Sequence, residues 1–314
     1  MQRREGVRVS RYALARILLF FPTLWGLLTL VFFLNRAMPG DPVEIMLGEN
    51  AAPARRVEMR HALGLDRPLA VQYGDYLAGL ATGRLGRSLR TGRPVSAELA
   101  DAFPRTLELG CCAMLLACLV AVPLGTAAAR TPGGAWDATA RFISSAGFSL
   151  PSFFLGPLLI LAFAVKYPWL PVSGADEPGS IVLPSLALGL PLAALLVRIV
   201  RTSVGEEAHR EYVRAALARG LREGAAFRRH ALRNALLPVV TVAGLQFGAV
   251  LTGAIITEKI FRWPGLGTLV LTAITGRDYP VVQGAVLLFA VTVLTVNLGT
   301  DLLYARIDPR VRYA

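Results

Sequence analysis

The amino-acid sequence predicts an all-α integral membrane protein with six transmembrane helices and a small external helical insert. Of its 314 residues, 54% are hydrophobic and only 17% are charged, whereas a soluble domain carries about 25% charged residues. Charges are nearly absent from several stretches of about 20 residues, the length that an α-helix needs to cross a bilayer. The net charge of +12 is concentrated between those stretches, which is typical of membrane topology signals.

The predicted spans are six apolar runs. They lie at 16–36, 106–129, 142–165, 181–201, 235–257 and 281–304. The fourth run contains Pro184 and Pro191, which transmembrane helices tolerate. The apolar part of the first run, from Ile17 to Leu34, follows five arginines and is longer than the apolar core of a signal peptide, so we expect an uncleaved first helix.

Arginine placement predicts the orientation of the spans. With a cytoplasmic N-terminus (1–15 in the domain division), the inside segments counted as 1–16, 130–141, 198–233 and 306–314 carry 19 basic residues, and the two short outside loops, 166–180 and 257–280, carry 4. Segment 36–105 carries the other 10, but long loops cross largely regardless of charge. We therefore expect an external insert at 37–105, a core at 106–304 and a cytoplasmic C-terminus at 305–314. The same placement argues against nucleic acid as a partner.

The external insert has one clear helical pattern, at Leu69, Tyr73, Tyr76, Leu77 and Leu80. Glycine and proline then divide the chain up to the second span. A segment of this size is predicted to fold as a cap on the membrane part, not as an independent domain.

Segment 202–234, called the coupling segment below, is polar and basic but has helical spacing. Tyr212, Ala215, Ala216 and Arg219 recur at that spacing, and Gly220 is predicted to end the helix. One interpretation is an amphipathic helix lying on anionic lipid. The other, favoured because the apolar face is small, is a docking element for a cytoplasmic partner.

The sequence contains no recognisable catalytic set. A P-loop requires lysine directly after glycine, but Lys166 follows a valine and Lys259 follows a glutamate. The chain is therefore predicted to be neither an enzyme nor a carrier of its own cofactor, and ATP chemistry would belong to another subunit. Cys111, Cys112 and Cys118 lie in one apolar run, where we expect small packing residues and not a disulfide or a metal site.

Polar groups within predicted spans are costly and therefore suggestive. Four such residues occur: Glu108, Gln246, Asn297 and Asp301. The first three are candidates for lining a pore, and Gln246 lies between the glycines of a GxxxG pattern, Gly244 and Gly248, which permits close helix approach. Hydrogen bonding between helices is the alternative interpretation.

Residues 211–220 read Glu-Tyr-Val-Arg-Ala-Ala-Leu-Ala-Arg-Gly, which resembles the cytoplasmic coupling loop, or EAA loop, of bacterial ABC importer permeases. Residues 229–238 continue the resemblance. Arg214 stands where the general motif has glutamate, and the spacing from Gly220 to Pro238 is longer than in sugar-type permeases. Both features are similar to the dipeptide/oligopeptide/nickel branch.

Further stretches agree with that branch, in order along the chain. They are Pro39-Gly40-Asp41-Pro42, Leu63-Gly64-Leu65-Asp66-Arg67-Pro68, Gln72-Tyr73, Trp263-Pro264-Gly265-Leu266-Gly267, Arg277-Asp278-Tyr279-Pro280-Val281-Val282-Gln283, Asp301-Leu302-Leu303-Tyr304 and Asp308-Pro309-Arg310. The chain resembles the first of the two permeases of such a system, the one with the larger external insert.

The resemblance implies a type I ABC importer permease in a bacterial inner membrane, embedded in lipid. It implies a second homologous permease, two ATPase subunits that hold ATP and Mg²⁺, and an extracytoplasmic substrate-binding protein. The residues predicted to contact an ATPase are Glu211, Tyr212, Arg214, Ala215, Ala216 and Gly220. Peptides are the expected cargo. Nickel or a metal chelate is the alternative within the family, and a stand-alone channel or receptor is the alternative outside it.

Overall fold

The computed structural model describes residues 2–37, 42–48, 51–149 and 151–307. Pro39-Gly40-Asp41, Asp308-Pro309-Arg310 and the side chain of Asp301 lie outside the described residues. In this part of the chain the α-helices are, in order, α1 (Gln2–Ala37), α2 (Pro42–Leu47), α3 (Pro53–Ala62), α4 (Leu69–Ala81), α5 (Val95–Arg130), α6 (Ala135–Ser149), α7 (Ser152–Ile160), α8 (Val182–Ala208), α9 (Glu211–Ala218), α10 (Glu223–Ala226), α11 (Arg233–Ile260), α12 (Leu266–Thr275) and α13 (Tyr279–Ile307). Two π-helical turns follow α7 and α10, at Leu161–Lys166 and Phe227–Leu232.

Within the described residues, five helical runs are long and apolar enough to cross a membrane. They are Leu18–Ala37, Val95–Arg130, Val182–Ala208, Glu223–Ile260 and Tyr279–Thr300. Each coincides with a predicted span, namely the first, second, fourth, fifth and sixth. The second, fourth and fifth are longer than predicted because polar residues continue the helix beyond the apolar run.

The third predicted span, 142–165, is not a single helix in the structure. It is divided between the end of α6 and the shorter apolar helix Phe153–Lys166. Pro151 lies at the break with extended backbone angles of φ −62° and ψ 140°. Proline has no N–H to donate and its ring displaces the preceding turn, so it begins a helix more readily than it continues one.

The segment predicted as an insert contains α2, α3, α4 and a hairpin loop, defined here as residues 86–95. In the hairpin loop the Ser88 N–H donates to the Arg93 carbonyl at 2.9 Å, and the Val95 N–H donates to the Gly86 carbonyl at 3.1 Å. The predicted helix over residues 69–80 is confirmed as α4. The predicted boundary at 105/106 falls inside α5, which begins at Val95.

The insert is attached to the membrane part through α4, which packs on α1. The Tyr73 hydroxyl lies 2.6 Å from Thr29 Oγ1, and Arg36 Nε donates to Gln72 Oε1 at 2.9 Å. The Phe32 ring is fully buried and stacks on Tyr76, with ring centroids 5.4 Å apart. Burial at this contact raises the pKa of Tyr76 to about 12. These contacts hold α4 against α1.

Among the described residues, α5 and α8 share the most extensive contact between two helices, and small residues make it possible. Ala113, Ala117, Ala121 and Gly125 recur at every fourth position of α5 and are all buried, so they form one stripe along the helix. A Cβ at Gly125 would come within 2.7 Å of the Val200 Cβ. Side chains larger than alanine at this stripe would push the two helices apart.

Helices α11 and α13 are joined along the predicted GxxxG pattern. A Cβ at Gly244 would lie 2.2 Å from Thr300 Oγ1, and one at Gly248 would lie 3.6 Å from Val293. The close helix approach expected from these two glycines is confirmed.

Candidate functional site

Helix α9 is a short, ordered element between two long helices, as predicted for the coupling segment. It comprises Glu211–Ala218, and its side chains divide into a buried pair, Val213 and Ala216, and an exposed face. Glu211 is in the first turn, where a negative charge interacts favourably with the helix dipole. The structure therefore presents a rigid helical surface here and not a loose loop.

Gly220 ends α9 in the way that the sequence predicts. Its φ is +88°, a left-handed conformation that costs an L-residue with a side chain about 1–2 kcal/mol. The Gly220 N–H donates to the Leu217 carbonyl at 2.9 Å, and the Leu221 N–H donates to the Ala216 carbonyl at 3.2 Å. This is a Schellman-type C-cap. A Cβ at Gly220 would meet nothing within 4 Å, so a substitution is opposed by the backbone alone.

Tyr212 joins α9 to both neighbouring long helices. Its hydroxyl donates a short hydrogen bond to Glu207 in α8 and accepts one from Asn234 Nδ2 in α11 at 3.0 Å. Partial burial and the bond to the Glu207 carboxylate raise the pKa of Tyr212, so the phenol stays protonated and keeps its donor role. One side chain therefore connects α9 with the ends of α8 and α11.

The remaining predicted contact residues are not all on one face. Glu211, Arg214, Ala215 and Gly220 are exposed, whereas Ala216 is only 5% exposed and packs toward the protein interior. The exposed residues are those available to another chain, and Ala216 holds α9 in place.

The helices on either side of α9 are themselves held together. Ser203 Oγ in α8 donates to the Ala235 carbonyl in α11 at 2.8 Å, and Ala231 in the π-helical turn is fully buried. The Arg130 guanidinium lies 5.0 Å from the centroid of the Phe227 ring, within the range of a cation–π interaction. A displacement of α9 would thus be passed to α8 and α11 together.

The three pore candidates lie on three different helices, α5, α11 and α13. Glu108 is exposed and forms an ion pair with Arg105 at 3.4 Å. Gln246 and Asn297 are half-buried, and Asn297 Oδ1 lies 3.9 Å from where a Cβ of Gly248 would be. Within the described residues neither amide side chain has a hydrogen-bond partner. The alternative interpretation, hydrogen bonding between helices, is therefore not observed at Gln246 or Asn297.

A buried carboxylate at the opposite end of the spans was missed by the sequence reasoning. Glu258 is fully buried at the end of α11. Its Oε1 accepts the Thr106 hydroxyl at 2.6 Å, and its Oε2 accepts the Thr268 N–H at 2.9 Å, at the start of α12. Cβ atoms at Gly265 and Gly267 would come within 2.2 and 2.9 Å of the carboxylate oxygens. The two glycines of the Trp263–Gly267 motif therefore make room for the Glu258 carboxylate. These glycines were the sequence feature from which a buried group at this position could have been inferred.

A second buried carboxylate follows α12. Asp278 is 2% exposed and accepts the Ser88 hydroxyl and the backbone N–H groups of Leu89, at 3.0 Å, and Arg90, at 3.3 Å. It thereby fixes the hairpin loop to the segment that links α12 and α13. Sequence reasoning noted Asp278 only as part of a motif.

The fold resembles that of a solved transporter. The structure of an amino acid ABC transporter with histidines has a TM-score of 0.51 to this chain, and the likeness covers 68% of this chain and 94% of that one. The identity is 16%, so this likeness concerns the fold alone. The class of protein that the fold defines is therefore a multi-helix membrane protein with the helix arrangement of that chain.

The chain belongs to the family of binding-protein-dependent transport system inner membrane components. That family matches residues 121–313, and the corresponding N-terminal family of membrane components matches residues 9–110. The expected resemblance to ABC importer permeases is confirmed, and the protein is a multi-pass component of an inner-membrane transport system.

Curated relatives match nearly the whole chain. The di/tripeptide transport system permease protein DppB of Pseudomonas aeruginosa (strain UCBPP-PA14) is 42% identical over 95% of this chain and 97% of its own length. The glutathione transport system permease protein GsiC of Pectobacterium atrosepticum is 41% identical, over 96% and 99%. The dipeptide transport system permease protein DppB of Escherichia coli (strain K12) is 40% identical, also over 96% and 99%.

Proposed function

We propose that this permease forms half of the pathway of a peptide importer and couples it to ATP hydrolysis in separate subunits. The single observation that carries the coupling role is α9, an ordered helix with an exposed face that is tied through Tyr212 to the ends of two long helices. The names of the relatives support small peptides, including glutathione, as cargo. They lend no support to nickel.

The proposed mechanism is rigid-body transmission. The exposed residues Glu211, Arg214 and Ala215 would contact a groove of the ATPase, with Gly220 closing the helix beside it. Closure of the ATPases would move α9, and the Tyr212 bridge would carry that movement into α8 and α11. No side chain of this chain needs to bind ATP in this scheme.

The proposal includes the arrangement in the membrane. The positive-inside distribution of arginine supports α9 and both termini on the cytoplasmic side, with α12 and the hairpin loop outside. The partners would be a second homologous permease, two ATPases and an extracytoplasmic binding protein that delivers the cargo. Gln246, Asn297 and Glu108 remain the proposed pore-lining side chains.

A pair of matched glycine substitutions tests the coupling role. Gly220→Val places a β-branched side chain at φ +88°, whereas Gly224→Val makes the same change four residues on, in α10. Neither Cβ would meet another atom within 4 Å, so the backbone conformation is the main difference. We expect uptake of a labelled dipeptide to be lost in Gly220→Val and retained in Gly224→Val, with both proteins inserted at wild-type levels.

Normal uptake by Gly220→Val would contradict the coupling role. Purification of the tagged chain in mild detergent tests the wider assembly, because a stand-alone channel would function without an ATPase. Recovery of neither an ATPase nor a second permease would contradict the importer proposal.

A further inference from the structure

A cleft of about 410 Å³ lies between the hairpin loop, the first turns of α5 and one side of α12. Its lining includes three arginines, Arg90, Arg93 and Arg105, and two threonines of α12, Thr268 and Thr272. Arginine presents several N–H donors in one plane, an arrangement suited to a carboxylate. The lining also holds two carboxylates, Glu98 and Asp101, so its three arginines leave an excess of one positive charge, which favours an anionic group.

The three arginines differ in whether an acidic side chain already pairs with them. Arg93 is paired with Asp101 at 2.8 Å, and Arg105 with Glu108 at 3.4 Å. Within the described residues, the Arg90 guanidinium has neither a hydrogen-bond acceptor nor an acidic partner. Arg90 is consequently the cation of the cleft that is available to a ligand.

Arg90 is held in position although its side chain is exposed. Its backbone N–H donates to the buried Asp278 at 3.3 Å. Its Cδ lies 3.6 Å from where a Cβ of Gly276 would be, so the aliphatic part of the side chain runs along the end of α12. Because the backbone and the first part of the side chain are fixed, fewer rotations are lost when the guanidinium binds an anion.

The other groups of the cleft leave room for the rest of a peptide. The Thr268 and Thr272 hydroxyls both donate to backbone carbonyls, at 3.0 and 2.8 Å, so their oxygens face a ligand as acceptors for N–H groups. Glu98 forms no ion pair within the described part of the chain, but its residue is only 7% exposed, its charge interacts with that of Arg93, and its carboxylate accepts the Thr91 hydroxyl.

The cleft also continues into the surface that carries a predicted pore residue. Asp101, Arg105 and Glu108 follow each other at spacings of four and three residues on α5, and Leu115 and Leu119 extend the same exposed stripe.

We propose that this cleft binds the carboxylate of a cargo peptide as it enters the pathway, with Arg90 as the contacting group. The proposal rests on the proposed function as a peptide importer. It adds a ligand site on the permease itself, distinct from the pocket of any binding protein, and it predicts that the permease contributes to selection for a free carboxylate.

The test compares a dipeptide with its C-terminal amide in the complete importer reconstituted in proteoliposomes. Uptake is measured for wild type, Arg90→Gln, Arg90→Lys and the control Arg84→Gln, with the binding protein loaded with either form. Arg84 is also exposed and lies in the same arginine-rich segment, but outside the cleft, and it donates to Thr82. The same binding protein is used with every permease variant. Its own preference for the free acid or the amide therefore cancels when the variants are compared.

We expect Arg90→Gln to lower kcat/KM for the free acid by about tenfold, since hydrogen bonds to charged groups contribute more than neutral ones. The amide should change by less than about twofold, Arg90→Lys should recover part of the loss, and Arg84→Gln should behave as wild type. The proposal would be overturned if both variants, Arg90→Gln and Arg84→Gln, lost uptake of the free acid and of the amide equally, and if added salt removed the difference from wild type. That result would show that the arginines form a docking surface for an acidic protein. An unchanged Arg90→Gln would also overturn the proposal while leaving the importer intact. Absence of uptake by wild type would instead contradict the proposed function.

Discussion

Two short helices, α9 and α12, each connect a pair of spanning helices, and they are held in very different ways. Helix α12 has a buried carboxylate at each end, Glu258 before it and Asp278 after it. Helix α9 is held by two small buried side chains and by Tyr212, whose hydroxyl bonds are partly exposed to solvent. Unpaired buried groups are costly, whereas exposed hydrogen bonds are easily exchanged with water.

The difference indicates which end of the permease can move. Displacement of α12 would separate a buried carboxylate from its donors, so α12 and the hairpin loop form a fixed frame. Among the described residues α9 has no such buried anchor, so a partner could shift it together with the ends of α8 and α11, to which Tyr212 joins it. The three predictions below test this contrast, beginning with the largest expected effect.

Glu258→Ala should be the most damaging of these substitutions. It leaves the Thr106 hydroxyl and the Thr268 N–H without their acceptor in a fully buried site, and we expect a loss of about 3 kcal/mol or more in the free energy of unfolding. Thermal unfolding of the detergent-solubilised protein measures it. Glu108→Ala is the control, because its exposed ion pair contributes about 0–1 kcal/mol. Equal melting temperatures for the two variants would remove the basis for a fixed α12.

Asp278→Ala should release the hairpin loop while the spans stay folded. Loss of an acceptor shared by the Ser88 hydroxyl and two backbone N–H groups should cost about 2 kcal/mol locally. Amide hydrogen exchange should then accelerate in residues 86–95 and not in α9. Asp75→Ala, which removes an exposed pair with Arg67, should leave that exchange unchanged. Unaltered protection of the loop in Asp278→Ala would mean that other contacts anchor it.

Tyr212→Phe should have the smallest effect on stability and the clearest effect on coupling. Removal of the hydroxyl eliminates the bonds to Glu207 and Asn234 at a cost of about 1 kcal/mol or less, because both are near solvent. We expect the melting temperature to be nearly unchanged and the number of peptides imported per ATP to fall. Tyr73→Phe, on the opposite side of the protein, is the matched control. A normal ratio in Tyr212→Phe would show that α9 is connected by its buried residues alone.

Residue patterns within one helix were sufficient to predict much of this structure. Hydropathy located the five long helices. The conformational freedom of glycine located the end of α9 at Gly220, and the small size of Gly244 and Gly248 located the contact between α11 and α13. The break within 142–165 was missed because an apolar run has the same composition whether or not Pro151 divides it. The break follows from backbone geometry at one residue and not from hydropathy.

The anchors of α12 could not be predicted because they join distant parts of the chain. Glu258 and Thr106 are 152 residues apart, and each is unremarkable beside its own neighbours in sequence. For α9 the opposite holds, since its cap is local and its main partners, Glu207 and Asn234, lie 5 and 22 residues away. Local sequence therefore describes α9 better than α12.

The bond between Ser88 and Asp278 also concerns how the protein is made. These residues are 190 positions apart, so the ribosome must synthesise most of the chain before the hairpin loop can be fixed. Until then the first part of the protein has crossed or entered the membrane without its final anchor. A nascent chain that stops before residue 258 lacks both carboxylates, so the Thr106 hydroxyl and the donors of the hairpin loop stay without their final acceptors until the last third of the chain is made.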